Sequence, residues 1–484
     1  MYMEYEDQID AEEFPCEPGE RTSDIQLPPV INYLLLAIWL VICLIGFAVM
    51  FLAENPVAGA VIVGIPTFIG MVLKPSFGLC ILMLVLPTGA GVGYKQDFSL
   101  DRGVGIALAV SFALNLMITR PKLRINHKAL WVMAIYTLWV CLASLAGPYL
   151  RFELVRAFTQ VQLLALILIV YWILQTNGEA CFRWACRAYV IGTLGTIALA
   201  FITGSAIRAI EDTPEQRYSA TLGETTDANM LASLTAIAFL AAIYLFARDR
   251  KLLWRVLYLA AILALPIMML KIGSRGALIA LMFTMLCPLL FIRQVVRRPA
   301  LAALLLGVIL LASVSAGLLV RSRGLEAGVA ARLTDPYQAR EALDYRMMPV
   351  KKAVECAVRK PLGTSYYGWF EESGLRILPH SDFFLALGVY GIPAAILFAS
   401  FVVLIMLAVK RMPLGLEKLY ARAILTYLLI MGLNVGQLYQ KHYWVFLAFI
   451  IASERMAGFF IAPKEELPPC AEYEEELLPQ EQFT

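Results

Sequence analysis

PHSDFFLALGVYGIPAAILFASFVVLIMLAV, residues 379–409, carries no charged side chain after Asp382. The apolar run from Phe383 to Val409 is longer than the roughly 20 residues a helix needs to cross the hydrocarbon of a bilayer. It lacks the period-two alternation of an outer-membrane barrel strand, so helix is the reading. The residues ahead of it differ in kind. Pro379 stiffens the approach, Ser381 and Asp382 are residue types that cap helices, and the His380 imidazole titrates near neutral pH. A membrane helix is therefore introduced by a polar turn that is able to do chemistry.

Similar runs recur along the chain, which is 60% hydrophobic and only 16% charged, with a mean hydropathy of +0.72. That is too little charge to cover a soluble protein of this size. Spans are expected near 32–53, 56–73, 77–94, 103–119, 129–147, 157–175, 186–204, 227–247, 254–271, 276–293, 299–320, 382–409, 416–435 and 440–460. The expected fold is all-α, a polytopic integral membrane protein of about 12–14 helices. The third span contains Pro87-Thr88-Gly89-Ala90-Gly91 and reads as broken or re-entrant. The expected organisation is an acidic cytoplasmic tail over 1–31 and eleven helices over 32–320. A long outward segment with an amphipathic helix then spans 321–381, followed by three helices over 382–462 and an acidic cytoplasmic tail over 463–484.

Orientation follows from the short basic connections at Arg120–Lys128, Arg248–Arg255, Arg293–Arg298 and Lys410–Arg422, all on the side of both termini. The positive-inside rule makes that side cytoplasmic. The segments 205–226 and 321–381 and the Gly273-Ser274-Arg275 turn then face outward, with arginines that topology does not explain. The acidic N-terminus has no basic start or cleavage site of a signal peptide. The nine cysteines form no CxxC pair and no Cys/His cluster, so neither a metal site, a cofactor nor a disulfide framework is expected, and no nucleic-acid partner either.

Three outward features carry candidate chemistry. Arg275, between Ser274 and Gly276, starts a helix. It reads either as a snorkelling arginine or as an anion site that combines a guanidinium with free helix N–H groups. Arg217 leads into Thr226-Asp227-Ala228-Asn229, where Thr226 or Asp227 is a sound N-cap. In the long segment, Tyr345-Arg346 precedes a helix expected from Pro349 to Arg359, which Lys360-Pro361-Leu362-Gly363 ends. His380 reads as structural or as a general base, and Ser381 or Asp382 as the cap of the next helix. His127 and His442 are background.

In order, Arg217…Gly223…Asp227-Ala228-Asn229, Gly273-Ser274-Arg275-Gly276-Ala277-Leu278, Arg346 before the Lys360–Gly363 turn, and His380-Ser381…Gly391-Ile392-Pro393-Ala394 resemble the O-antigen ligase and O-antigen polymerase superfamily. The resemblance covers roughly residues 213–400. Its most specific part is the histidine motif, in which Gly391 follows His380-Ser381 after nine residues. Departures are Ala220 for a glycine, Asp-Ala-Asn for Asp-Pro-Asn, Ile279 for a leucine, and Ala394 at the motif's end.

The resemblance implies a metal-independent, inverting glycosyltransferase on the outer face of the bacterial cytoplasmic membrane, acting in surface polysaccharide assembly. The donor is a glycan on a polyprenyl (undecaprenyl) diphosphate, and the acceptor is a sugar hydroxyl on a glycan, lipid or protein. By the same resemblance His380 is the general base and Arg275, Arg346 and Arg217 bind the diphosphate. Ser274, Gly276, Asn229, Ser381, Asp382 and Gly391 support them. Ligase and polymerase are not separated. The rival from another class is a small-solute or bicarbonate-type transporter, for which inverted repeats and mid-membrane charges are the expected marks.

Overall fold

The structure is a computed structural model. It describes residues 24–25, 28–52, 56–90, 93–94, 98–120, 127–202, 228–272, 274–286 and 336–459. The helices among them are α1 (Pro29–Leu52), α2 (Pro56–Leu73), α3 (Pro75–Val85), α4 (Leu100–Thr119), α5 (Lys128–Leu145), α6 (Leu150–Ile202), α7 (Ala228–Arg248), α8 (Leu252–Ile272), α9 (Arg275–Leu286), α10 (Pro336–Arg359), α11 (Tyr366–Ser373), α12 (Asp382–Arg411), α13 (Leu416–Asn434) and α14 (Lys441–Phe459). The extended backbone is one two-residue ladder, Gly93–Tyr94 against Phe98–Ser99. Proline opens α1, α2, α3 and α10, where its missing N–H costs nothing.

Six helices among the described residues are long and apolar enough to cross a membrane: α4, α5, α6, α7, α8 and α12. The chain is a helical membrane protein. In hydrocarbon each backbone polar group needs a partner within the protein, and helices supply it within one segment. Helix α7 is buried along 78% of its span and α4 along 22%, which puts α7 inside and α4 on the perimeter. Helix α14 is buried without a break from His442 to Ser453. Phe182, Tyr244, Tyr420 and Phe449 pack edge-on and stacked between α6, α7, α13 and α14.

Several expectations are refined. The spans expected near 157–175 and 186–204 are the two arms of α6, broken at Gly178 (φ 66°, ψ −158°). The third span stops as an α-helix at Val85 and tightens into a 3₁₀ turn over Leu86–Ala90, because Pro87 has no N–H to continue it. The span near 299–320 lies outside the described residues.

The helix expected from Pro349 begins thirteen residues earlier, at Pro336, with Pro349 inside it. Pro349, Ala353, Cys356 and Ala357 form one buried stripe at helical spacing, and that packing outweighs the hydrogen bond lost at the proline. The stripe lies on α12, where Gly388 lets Ala353 approach: a Cβ at Gly388 would sit 2.8 Å from the Ala353 Cβ. Residues 336–373 are thus mostly helical, with α10 and α11 both docked on α12.

Candidate active site

Helix α12 is interrupted at Gly391 (φ 83°, ψ −176°), two residues before Pro393. The break frees backbone groups, and the Lys360–Gly363 turn with the residues after it takes them up. The Val389 carbonyl accepts from the Thr364 and Ser365 N–H groups at 2.9 Å each, and the Ile392 N–H donates to the Pro361 carbonyl at 2.8 Å. The Trp139 indole of α5 donates to the Tyr390 carbonyl at 2.8 Å. Glycine is required on both sides of this joint. A Cβ at Gly391 would lie 2.4 Å from the Pro361 oxygen, and one at Gly363 (φ 105°) 2.6 Å from the Tyr390 carbonyl carbon.

Glu153, fully buried in the first turn of α6, caps α11. Its carboxylate accepts from the Ser365 hydroxyl at 2.6 Å, the Tyr367 N–H at 2.7 Å and the Tyr366 N–H at 3.1 Å. A carboxylate at a helix start meets both free donors and the positive end of the helix dipole.

Asp382 has the same task elsewhere. One of its oxygens accepts from the N–H groups of Gln437 and Leu438, which ties the turn between α13 and α14 to the start of α12. Its other oxygen faces Gly432, where a Cβ would come within 2.5 Å. Ser381 is the residue before the helix, as expected, but its buried hydroxyl makes no cap bond. The capping expectation is corrected. Two backbone donors in one tight turn outbid the helix's own N–H groups for the Asp382 carboxylate.

His380 is half-buried, its ring centroid 6.4 Å from that of Tyr345 on α10. Arg346, the next residue along α10, is also half-buried. The background histidines have other tasks. His442 bonds the Gln437 amide oxygen at 2.9 Å, and His127 caps α5 and pairs with Glu454 at 2.8 Å.

At the start of α9 the Ser274 hydroxyl donates to the Asn229 side-chain oxygen at 2.7 Å, which joins two of the motifs picked out in the sequence. Gly276 faces Asn434 of α13, a Cβ there being 3.5 Å from the Asn434 Cβ. Arg275 is half-buried, and its Nε and one terminal nitrogen are buried with no acceptor among the described residues. Arg217 and Gly273 lie outside the described residues. The starts of α9 and α12 both abut the last turns of α13, through Gly276 on Asn434 and Asp382 on Gly432.

Sequence reading missed four residues here: Trp139, Glu153, Arg156 and Tyr439. The Arg156 guanidinium lies 4.2 Å above the Tyr366 ring and 5.8 Å from the Tyr439 ring, and the Tyr439 and Tyr390 hydroxyls hydrogen-bond. Burial pushes the Tyr366 and Tyr439 phenols above their ordinary range, so both stay protonated. Glu153 and Arg156 stand at the edge of an apolar run, where charges read as interface residues, and nothing local marks them. Among the described residues no three His, Cys, Asp or Glu side chains converge as a metal site requires. No protein-family model and no curated protein sequence matches the chain.

Proposed function

We propose that this protein is a membrane glycosyltransferase of the O-antigen ligase/polymerase type. It transfers a glycan from a polyprenyl diphosphate to a sugar hydroxyl on the outer face of the cytoplasmic membrane. The topology that goes with this reading has about 12–14 crossings, with both termini cytoplasmic and α10, α11 and the starts of α9 and α12 on the outer side. The observation that carries it is the approach of remote elements to one end of the bundle. His380 stands beside Tyr345-Arg346 of α10, and Arg275 starts a helix that meets the same last turns of α13 as Asp382.

In this reading His380 removes the proton of the acceptor hydroxyl as its oxygen attacks the anomeric carbon. The bond from that carbon to the diphosphate oxygen breaks, and the diphosphate leaves with the electron pair, inverting the centre. Arg275 and Arg346, with Arg217, meet the charge that grows on the leaving group. Asp382, Asn229 and Ser274 hold the helix starts in place beside Ser381, Gly276 lets α9 close on α13, and Gly391 breaks α12. The transporter reading gains nothing from the buried carboxylates, since Glu153 and Asp382 are engaged with backbone N–H groups.

The test is transfer by purified protein from a synthetic polyprenyl-diphosphate oligosaccharide, with chelator present and His380→Ala and Arg275→Ala alongside. Longer lipid-linked chains mean polymerase, and product on a separate acceptor means ligase. Undiminished transfer by folded His380→Ala ends the general-base assignment.

A further inference from the structure

A second feature lies at the same end of the bundle, lined by residues other than Arg275 and His380. Helices α4 and α6 enclose a groove of about 390 Å³. Its walls are mainly aliphatic, with Ile106, Ala109 and Val110 on one side and Leu163, Leu166 and Ile169 on the other, and Thr159 and Gln162 nearer the mouth. Both helices are candidate membrane spans, and Ile106 and Val110 remain 44% and 47% exposed, so the groove opens sideways into the region that hydrocarbon occupies. From Arg156 to Ile169 the α6 wall runs about 20 Å, enough to shelter the upper portion of one lipid chain.

The mouth of the groove is charged. Arg102, Arg156 and Lys441 line it with Asp101 as the single carboxylate, and Lys441 holds Asp101 at 2.6 Å. Arg156 has no ion pair among the described residues. Its central carbon stands 4.2 Å over the Tyr366 ring, a contact that orders the guanidinium without using its N–H donors, which can still meet an oxyanion. Gly105, on the α4 wall, faces open space: a Cβ there meets nothing within 4 Å.

We infer that this groove binds one phosphate-headed lipid, with its hydrocarbon chain between α4 and α6 and its phosphate on Arg156. A soluble anion has no use for the aliphatic walls, and a zwitterionic headgroup brings a cation of its own toward Arg156. The inference is independent of glycan transfer, because it concerns binding at residues that the proposed chemistry does not use.

The experiment is saturable retention of dioleoylphosphatidic acid by the full-length protein in detergent, read by native mass spectrometry. Dioleoylphosphatidylcholine and inorganic phosphate serve as comparators. Phosphatidic acid should be retained in preference to phosphatidylcholine and resist displacement by millimolar phosphate. Arg156→Gln should weaken retention about tenfold or more, the size of one lost charge-assisted hydrogen bond. Gly105→Phe, which plugs the groove without removing a cation, should weaken it similarly. Arg156→Lys, which keeps the charge, should recover some of the loss. Melting temperatures near wild type separate lost binding from lost fold. Gly105→Phe makes the test even where Arg156→Gln is unstable, since its Cβ meets no neighbour. Unchanged retention in Gly105→Phe or in folded Arg156→Gln overturns the inference. So does equal retention of the two lipids, or ready displacement by free phosphate.

Discussion

The two ends of the helix bundle use their charges in opposite ways. At the end where α6 bends and α7 meets α8, arginines face carboxylates. Arg187 pairs with Asp249 at 2.8 Å, and Arg248 pairs with Glu179 at 2.8 Å and approaches Glu417 at 3.6 Å. At the end where α9, α11 and α12 begin, Glu153 and Asp382 are engaged with backbone N–H groups. Arg156 lies on an aromatic ring, and Arg275 has buried nitrogens with no acceptor among the described residues. Lysines there still pair, Lys441 with Asp101 and Lys360 with Glu372. The lesson is that charge count says little about function, whereas the partner of each charge says much. At the first end these pairs close on one another, and at the other Arg275 keeps buried nitrogens with no acceptor among the described residues.

Four measurements break or sharpen this contrast. The largest effect belongs to the open end. His380→Ala and Arg275→Ala should each lower glycan transfer by about 10²–10⁴-fold while the melting temperature moves little. Equal losses from a variant at the closed end would dissolve the distinction. There, Asp249→Ala strands the nearly buried Arg187 and should destabilise by about 3 kcal/mol, read as thermal unfolding in detergent, with transfer per folded molecule intact.

Glu153→Ala leaves the Ser365 hydroxyl and two N–H groups without an acceptor and should cost about 2–3 kcal/mol by the same readout. A wild-type melting temperature would show that water replaces the carboxylate and that α11 is held by other contacts. The smallest effect is the exposed Lys360–Glu372 pair. The lysine bond lowers the Glu372 pKa from its ordinary 4.5. The pair's contribution is therefore complete above pH 4.5 and fades as pH falls through the lowered value. After solvent screening it is at most about 0.5 kcal/mol, and Lys360→Ala should abolish that pH dependence.

Much of this was legible in the residues. Asn177-Gly178 sits between the two expected spans that form the arms of α6, and Lys360-Pro361-Leu362-Gly363 ends α10 as expected, whereas the break of α12 at Gly391 falls inside what reads as one continuous span. The early start of α10 was not legible, because the pull that overrides Pro349 comes from α12. Ser274 and Asn229 each stood out, yet their hydrogen bond spans 45 residues and leaves no periodic trace. Glu153 was invisible for the same reason, its partners being 212–214 residues away.

The amino-acid sequence sufficed for the helical membrane class and for the interruption of the third span at Pro87. These depend on composition and backbone sterics, which act over a few residues. Tertiary structure alone decided that the 360–363 turn seats in the α12 break. It also decided which carboxylates are taken up by backbone donors and which arginines keep their N–H groups available. Those outcomes are competitions for hydrogen-bond partners between segments hundreds of residues apart, and only packing settles such competitions.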